Sequence, residues 1–112
     1  MMDEGSVIFP QEPLIRIHAN LIEAQIVEGL ILNYVNFQSL IATKTSRVWL
    51  ASNKGSLMEF GLRRAQGPDG AMSASRAAYI GGAAGTSNTL AGKRYGIPIM
   101  IEIGRASCRE RV

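Results

Sequence analysis

The sequence predicts an α/β fold with a parallel sheet, and three observations carry that reading. Val27, Leu30, Ile31, Tyr34, Val35, Ile41, Ala42, Thr45, Val48 and Trp49 recur at helical spacing, the pattern of one long helix. After it, short apolar runs at residues 57–62 and 97–100 flank alanine-rich, helix-forming sequence. Strand, helix, strand at that spacing is a βα repeat, which sets its strands in parallel. Turn-forming clusters at residues 52–55 and 67–70 separate the segments.

The first elements expected are two short strands, residues 7–9 and 14–17, joined by a turn over residues 10–13 that begins and ends on proline. Arg16 and His18 alternate there with Ile15 and Ile17, as on a strand with one wet face. Asn20, with Glu23 three residues on, reads as a reciprocal helix cap. The long helix should run from Leu21 to about Ala51, with residues 33–36 the place where it could break. Residues 52–55, SNKG, end it, and Gly55 suits a left-handed exit.

Residues 57–62 read as a buried strand, followed by a Gly-Pro-Asp-Gly turn over residues 67–70. A helix is expected over residues 73–80, with Ser73 and Ser75 as candidate caps, and Asp69 stabilises its own turn. Gly81, Gly82 and Gly85 read as a flexible connection to a helix over residues 88–95. A last strand follows at residues 97–100. No internal repeat or low-complexity segment interrupts this order.

With 112 residues, the chain is one small domain at most. Its formal charge of +3 rests largely on residues 103–112, where Arg105, Arg109 and Arg111 against Glu110 contribute +2 and leave +1 for the rest. That balance offers no electrostatic case for nucleic-acid or membrane binding. The single cysteine, Cys108, excludes a disulfide framework or a cysteine metal site. The start, Met1-Met2-Asp3-Glu4, is acidic, and no apolar run approaches the ~18 residues of a spanning helix. A soluble, cytoplasmic protein is the expectation.

Four strings carry a family resemblance: EFGLRRAQGPDGAMSASRAAYIGG at residues 59–82, PQEPLIRI at 10–17, LNYVNFQSLIATKTSRV at 32–48 and GTSNTLAGKRYGIP at 85–98. Together they resemble the nicotinate phosphoribosyltransferase family. The resemblance implies a fragment of a two-domain type II phosphoribosyltransferase, with an α/β sandwich-like domain beside an irregular α/β barrel. On that analogy residues 1–20 are strands of the sandwich-like domain and residues 21–55 a bridging helix. Residues 56–102 would then be the first βα units of the barrel. Residues 103–112, IGRASCRERV, depart from the family and resemble a sequencing-adapter end translated in frame; a genuine arginine-rich tail is the alternative. As an adapter or a tail, four charged residues in ten without periodicity should make no packed contribution.

The reaction implied by the resemblance joins nicotinate to 5-phosphoribosyl 1-diphosphate, forming nicotinate mononucleotide and diphosphate with ATP hydrolysis. Family members do so through a histidine in an Ala-His-Ser triplet, which this chain lacks together with the donor-phosphate loops. No catalytic residue is therefore expected in this piece, which should be inactive alone, whereas the parent enzyme would work as a homodimer. Mg2+ would arrive on the phosphates of the donor and ATP, because the sequence holds no metal-ligand cluster.

For substrate binding the resemblance points to Phe60 and Arg63. The arginine is a planar charged fork for the nicotinate carboxylate, and the aromatic ring a stacking partner for the pyridine. Residues three apart on a regular strand face opposite ways, so both reach one ligand only if the strand ends or bulges at Gly61. The alternative is a core Phe60 and an Arg63 paired with Glu59 or Asp69. Arg64 is a further candidate, either for a donor phosphate or for bracing the loop. Ser87 stands before a helix start and aligns with a substrate-contacting acidic position of the nicotinamide enzymes, where a serine would not repel a carboxylate.

Two other strings miss their motifs. GTSNTLAGKR has six residues between its glycines where a P-loop has four, and no Ser or Thr follows Lys93. GGAAG at residues 81–85 lacks the dinucleotide-binding spacing. His18, the sole histidine, falls on a predicted strand away from the site. Competing functional readings are a nicotinamide or quinolinate phosphoribosyltransferase fragment, and a short non-catalytic protein that binds a partner through its helix.

Overall fold

A computed structural model describes residues 1–101; residues 102–112, and with them the expectation about the tail, lie outside the described residues. Three helices and a small parallel sheet make up the described residues: α1 (Leu21–Ala51), β1 (Met58–Glu59), a 3-10 turn (Leu62–Arg64), α2 (Gly67–Ile80), β2 (Gly85–Thr86) and α3 (Thr89–Tyr95). Its extents are 64 × 29 × 22 Å, with a radius of gyration of 17.0 Å. A compact domain of about this length would have ~13 Å. The excess comes from α1, whose 31 residues extend past everything they could pack against.

The parallel sheet of the βα reading is present. Met58 pairs with Gly85 and Glu59 with Thr86, and Thr86 forms a further parallel bridge to Ile99. Helix α2 connects the first pair and α3 the second, so each crossover is a helix, as parallel strands require. Pairing is short: the strand expected over residues 57–62 is a ladder of two residues, and that over residues 97–100 is the single bridge at Ile99.

Residues 7–9 and 14–17 are not strands. They run outside any ladder: the Met2 amide donates to the Leu14 carbonyl at 3.0 Å, but one such bond does not make a strand pair. The turn between them does form, with Gln11 at φ +70° and the Phe9 amide donating to the Glu12 carboxylate at 2.9 Å.

Helix α1 begins after Asn20 as expected, but the Asn20 side chain makes no capping bond, so the reciprocal cap with Glu23 is absent. Nor does the helix break at residues 33–36; it is continuous to Ala51. Its exit uses Asn53 and Lys54, at φ +55° and +61°, and Gly55 is not in the left-handed region. The Lys54 amide then reaches back to the Trp49 carbonyl at 2.9 Å.

The Gly-Pro-Asp-Gly string is the first turn of α2 rather than a separate loop. Pro68 has a φ suited to a helix start and lacks the amide that would go unpaired there, while Asp69 meets the positive end of the helix dipole. Ser73 and Ser75 consequently lie inside the helix and cap nothing. The buried core is built of small residues around α2: Ala71, Met72, Ala77, Ala78, Ala83, Ala91 and Ile97.

Gly81 and Gly82 are packing positions, not a flexible connection. A Cβ on Gly81 would stand 2.5 Å from the Ala42 carbonyl oxygen, and Gly82, at φ +108°, lies against the Trp49 ring. Gly85 belongs to β2. These close approaches seat the end of α2 on α1.

One ion pair ties the N-terminal segment to this body. Arg76 on α2 forks onto Glu4, with both nitrogen–oxygen contacts at 2.6 Å, and its guanidinium lies 5.9 Å from the Tyr95 ring centre. Hydrogen bonding to Arg76 holds the Glu4 carboxyl below its ordinary value of 4.5. A depressed carboxylate contributes stability above its unfolded value, and that contribution is lost as pH falls through its folded value. Glu4 is well exposed, so screening limits the effect to about 0.5 kcal/mol. Urea unfolding should therefore show Glu4→Gln slightly less stable than wild type at pH 7, with the gap closing as pH falls below the ordinary value of 4.5. An unchanged gap at pH 3 would contradict this account.

Candidate functional site

β1 and β2 end side by side, and every predicted site residue falls at or just past those ends. Since Glu59 pairs with Thr86, the next residues in each strand direction are Phe60 and Ser87. The Ser87 amide donates to the Glu59 carbonyl at 3.0 Å, extending the register past the ladder. Ser87 is half-buried, and Phe60 is 38% exposed, so Phe60 is not a core residue of the described chain.

β1 ends at Glu59, and Gly61 turns the chain away from the strand direction. It adopts a helical conformation, φ −83° and ψ −5°, and opens the 3-10 turn Leu62–Arg64, closed by the Arg64 amide on the Gly61 carbonyl at 2.9 Å. The strict alternation that would send Phe60 and Arg63 to opposite faces thus ends before it applies. Arg63 and Arg64 are exposed on this turn, immediately before α2. Neither guanidinium has a salt bridge among the described residues, where the ion pair found is Arg76–Glu4. The structural pairing of Arg63 with Glu59 or Asp69 is therefore not made.

Asn88 begins α3, its side-chain oxygen accepting from the Ala91 amide at 3.2 Å. That cap already satisfies one of the helix-start donors expected near Ser87. His18 is exposed on the N-terminal segment, outside any strand.

Sequence reasoning overlooked Glu59 as more than a possible partner for Arg63. Its carboxylate accepts from the Thr86 hydroxyl at 2.6 Å, the Ser75 hydroxyl at 2.9 Å and the Gly61 amide. A carboxylate in an otherwise apolar strand run, LMEFGL, was the available signal, because such a group needs donors wherever the strand is covered. The donors come from positions 16 and 27 residues later, which no local pattern discloses.

Among the described residues no group of three or more His, Cys, Asp or Glu could hold a metal ion, and no helix is long and apolar enough to cross a membrane. A groove between the N-terminal segment, α1 and α2 includes Glu4, Tyr34 and Arg76 but none of Phe60, Arg63 or Ser87.

No family model matches the chain. It is 59% identical over 99 residues to the nicotinate phosphoribosyltransferase of Dictyostelium discoideum, covering 88% of this chain and 17% of that protein. The enzyme of that name from Bacillus subtilis is 49% identical over 98 residues, 88% of this chain and 20% of its own length. The one from Homo sapiens is 43% identical over 99 residues, 88% and 18% respectively. Among solved structures, that of human nicotinic acid phosphoribosyltransferase matches with a TM-score of 0.83 and 40% identity, over 91% of this chain and 21% of that one. The chain spans about a fifth of the length of the relatives it matches. By sequence and by fold, the chain corresponds to one segment of the nicotinate phosphoribosyltransferases it matches.

Proposed function

We propose that this segment supplies the nicotinate-holding end of a phosphoribosyltransferase that forms nicotinate mononucleotide from nicotinate and 5-phosphoribosyl 1-diphosphate. The observation that carries the reading is that Phe60 and Ser87 directly follow paired strand residues, with Arg63 on the turn just after Phe60, in a chain 43–59% identical to enzymes of that name. Arg63 would pair with the carboxylate of the ring and Phe60 would stack on its face. Ser87, from the neighbouring strand end, would offer a neutral polar edge. Arg64, beside Arg63 on the same turn, is placed in reserve for a donor phosphate or for bracing the loop.

In the reaction the ring nitrogen's lone pair forms the bond to the anomeric carbon, while the carbon–oxygen bond to diphosphate breaks and its electron pair leaves on diphosphate. This segment's part is orientation, keeping the ring nitrogen in line with that carbon. ATP, and Mg2+ carried by the phosphates, complete the proposed reaction. Domain division into a sandwich-like part, a bridging α1 and the opening of a barrel belongs to the same proposal, as does a cytoplasmic homodimer. Support for further covering protein comes from α1, which has no buried residue and leaves Leu21, Ile22 and Ile26 about three-quarters exposed.

The experiment is product formation by the intact enzyme containing this segment, with nicotinate, nicotinamide and quinolinate offered in turn. Nicotinate mononucleotide should be the main product; faster turnover of either other substrate would overturn the reading. The 112-residue chain alone should bind neither nicotinate nor the ribose donor and should self-associate through its exposed α1 face. Titration calorimetry showing stoichiometric, micromolar nicotinate binding to a soluble monomer would refute that expectation.

A further inference from the structure

Among the described residues, three donors and no salt-bridging cation face the Glu59 carboxylate. One oxygen, Oε2, accepts from Thr86 Oγ1 at 2.6 Å and Ser75 Oγ at 2.9 Å, and Oε1 accepts from the Gly61 amide. Ser75 and Thr86 are 2% and 0% exposed, so these hydroxyls have no water to turn to. Each hydroxyl has one proton to give. Thr86 Oγ1 accepts from the Asn88 amide at 3.0 Å, and of the two acceptors its own proton can reach, Glu59 Oε2 at 2.6 Å is nearer than Ser75 Oγ at 3.3 Å. The Ser75 proton lies between Glu59 Oε2 and the Ala71 carbonyl, both at 2.9 Å.

A continuous chain of bonds therefore runs from the start of α3 through Asn88, Thr86 and Glu59 to the Gly61 amide, two residues before Arg63. Gly61 corroborates it. Its backbone angles are open to any residue, so the glycine is not there for conformational freedom. What it provides is space: a Cβ at this position would stand 2.8 Å from Glu59 Oε1.

We infer that Glu59 is a positioning residue for substrate recognition. Its carboxylate holds the turn at Gly61 and thereby sets where Phe60 and Arg63 stand relative to each other and to Ser87. The inference rests on the reading of Phe60 and Arg63 as the nicotinate pocket, and its test separates the two.

In the intact enzyme, Glu59→Gln keeps the shape but puts an N–H2 where one acceptor oxygen stood, against either the hydroxyls or the Gly61 amide. Steady-state kinetics should show the KM for nicotinate raised about tenfold, with the KM for the ribose donor within about twofold and the melting temperature nearly unchanged. Gly61→Ala, which displaces the same carboxylate, should reproduce that split. The double variant should be little worse than either single one, because both act through one contact. Equal rises in both KM values, an unchanged KM for nicotinate, or multiplicative effects in the double variant would each overturn the positioning role. Arg63→Ala serves as the reference. If it spares the KM for nicotinate, the pocket reading itself fails; if it raises that KM while Glu59→Gln and Gly61→Ala do not, only the role of Glu59 falls.

Discussion

Arg63→Ala in the intact enzyme is expected to lower catalytic efficiency with nicotinate by tens to thousands-fold, a loss of about 2–5 kcal/mol. The residue sits exposed on a one-turn 3-10 segment and makes no salt bridge among the described residues, so little of the fold depends on it. What it would lose is a two-pronged, charge-assisted contact, leaving the substrate carboxylate unpaired in the pocket. Arg63→Lys should restore little, because an ammonium cannot reproduce the planar fork. Phe60→Leu should be milder, costing the stacking increment of about 1 kcal/mol while keeping most of the apolar contact. Kinetics beside a thermal melt decide the matter. A variant that melts tens of degrees lower, yet turns over normally in its folded fraction, would make Arg63 structural.

Gly81→Ala should destabilise the fold by about 2–4 kcal/mol, beyond the usual cost of an extra methyl because two of its neighbours cannot yield. The added Cβ would meet the Ala42 carbonyl oxygen at 2.5 Å, the Ala42 Cα at 3.0 Å and the Thr45 Cβ at 3.0 Å. Two of those are backbone atoms of α1, which move only if the helices separate. Helix propensity argues the other way, since alanine is favoured over glycine by about 1 kcal/mol and Gly81 has an ordinary helical φ of −74°. Gly70, in the first turns of α2, supplies the control: its added Cβ has Gln66 as nearest neighbour at an unstrained 3.9 Å. Gly70→Ala should therefore be neutral or stabilising by up to about 1 kcal/mol. Denaturant midpoints for the two variants ought to move in opposite directions; a common direction would show that propensity, not contact, governs this interface.

The bounds of α1 and α3 were legible because they rest on neighbours in sequence. The period of α1, its start after Asn20 and a helix beginning near Asn88 all appear where local chemistry puts them. The βα order likewise implied a parallel sheet, which Met58, Gly85 and Ile99 form. Local chemistry also misled. Pro68 and Asp69 suit a loop turn and a helix start equally, and only the packing of α2 made them the latter. Residues 7–9 have strand composition but no strand beside them, and composition carries no record of whether a partner exists.

For the site, the family resemblance, readable in contiguous strings, pointed to Phe60, Arg63, Arg64 and Ser87 as candidates. The sequence by itself thus determined α1, the presence of the two later helices and the parallel order, since each depends on chemistry within a few positions. Tertiary structure alone decided that the chain turns at Gly61 just past β1, that Gly81 and Gly82 are contact points on α1, and that Glu59 gathers Ser75 and Thr86 from distant elements. Those outcomes depend on which atoms come within 2.5 to 3.5 Å across the fold. A one-dimensional pattern does not contain such distances.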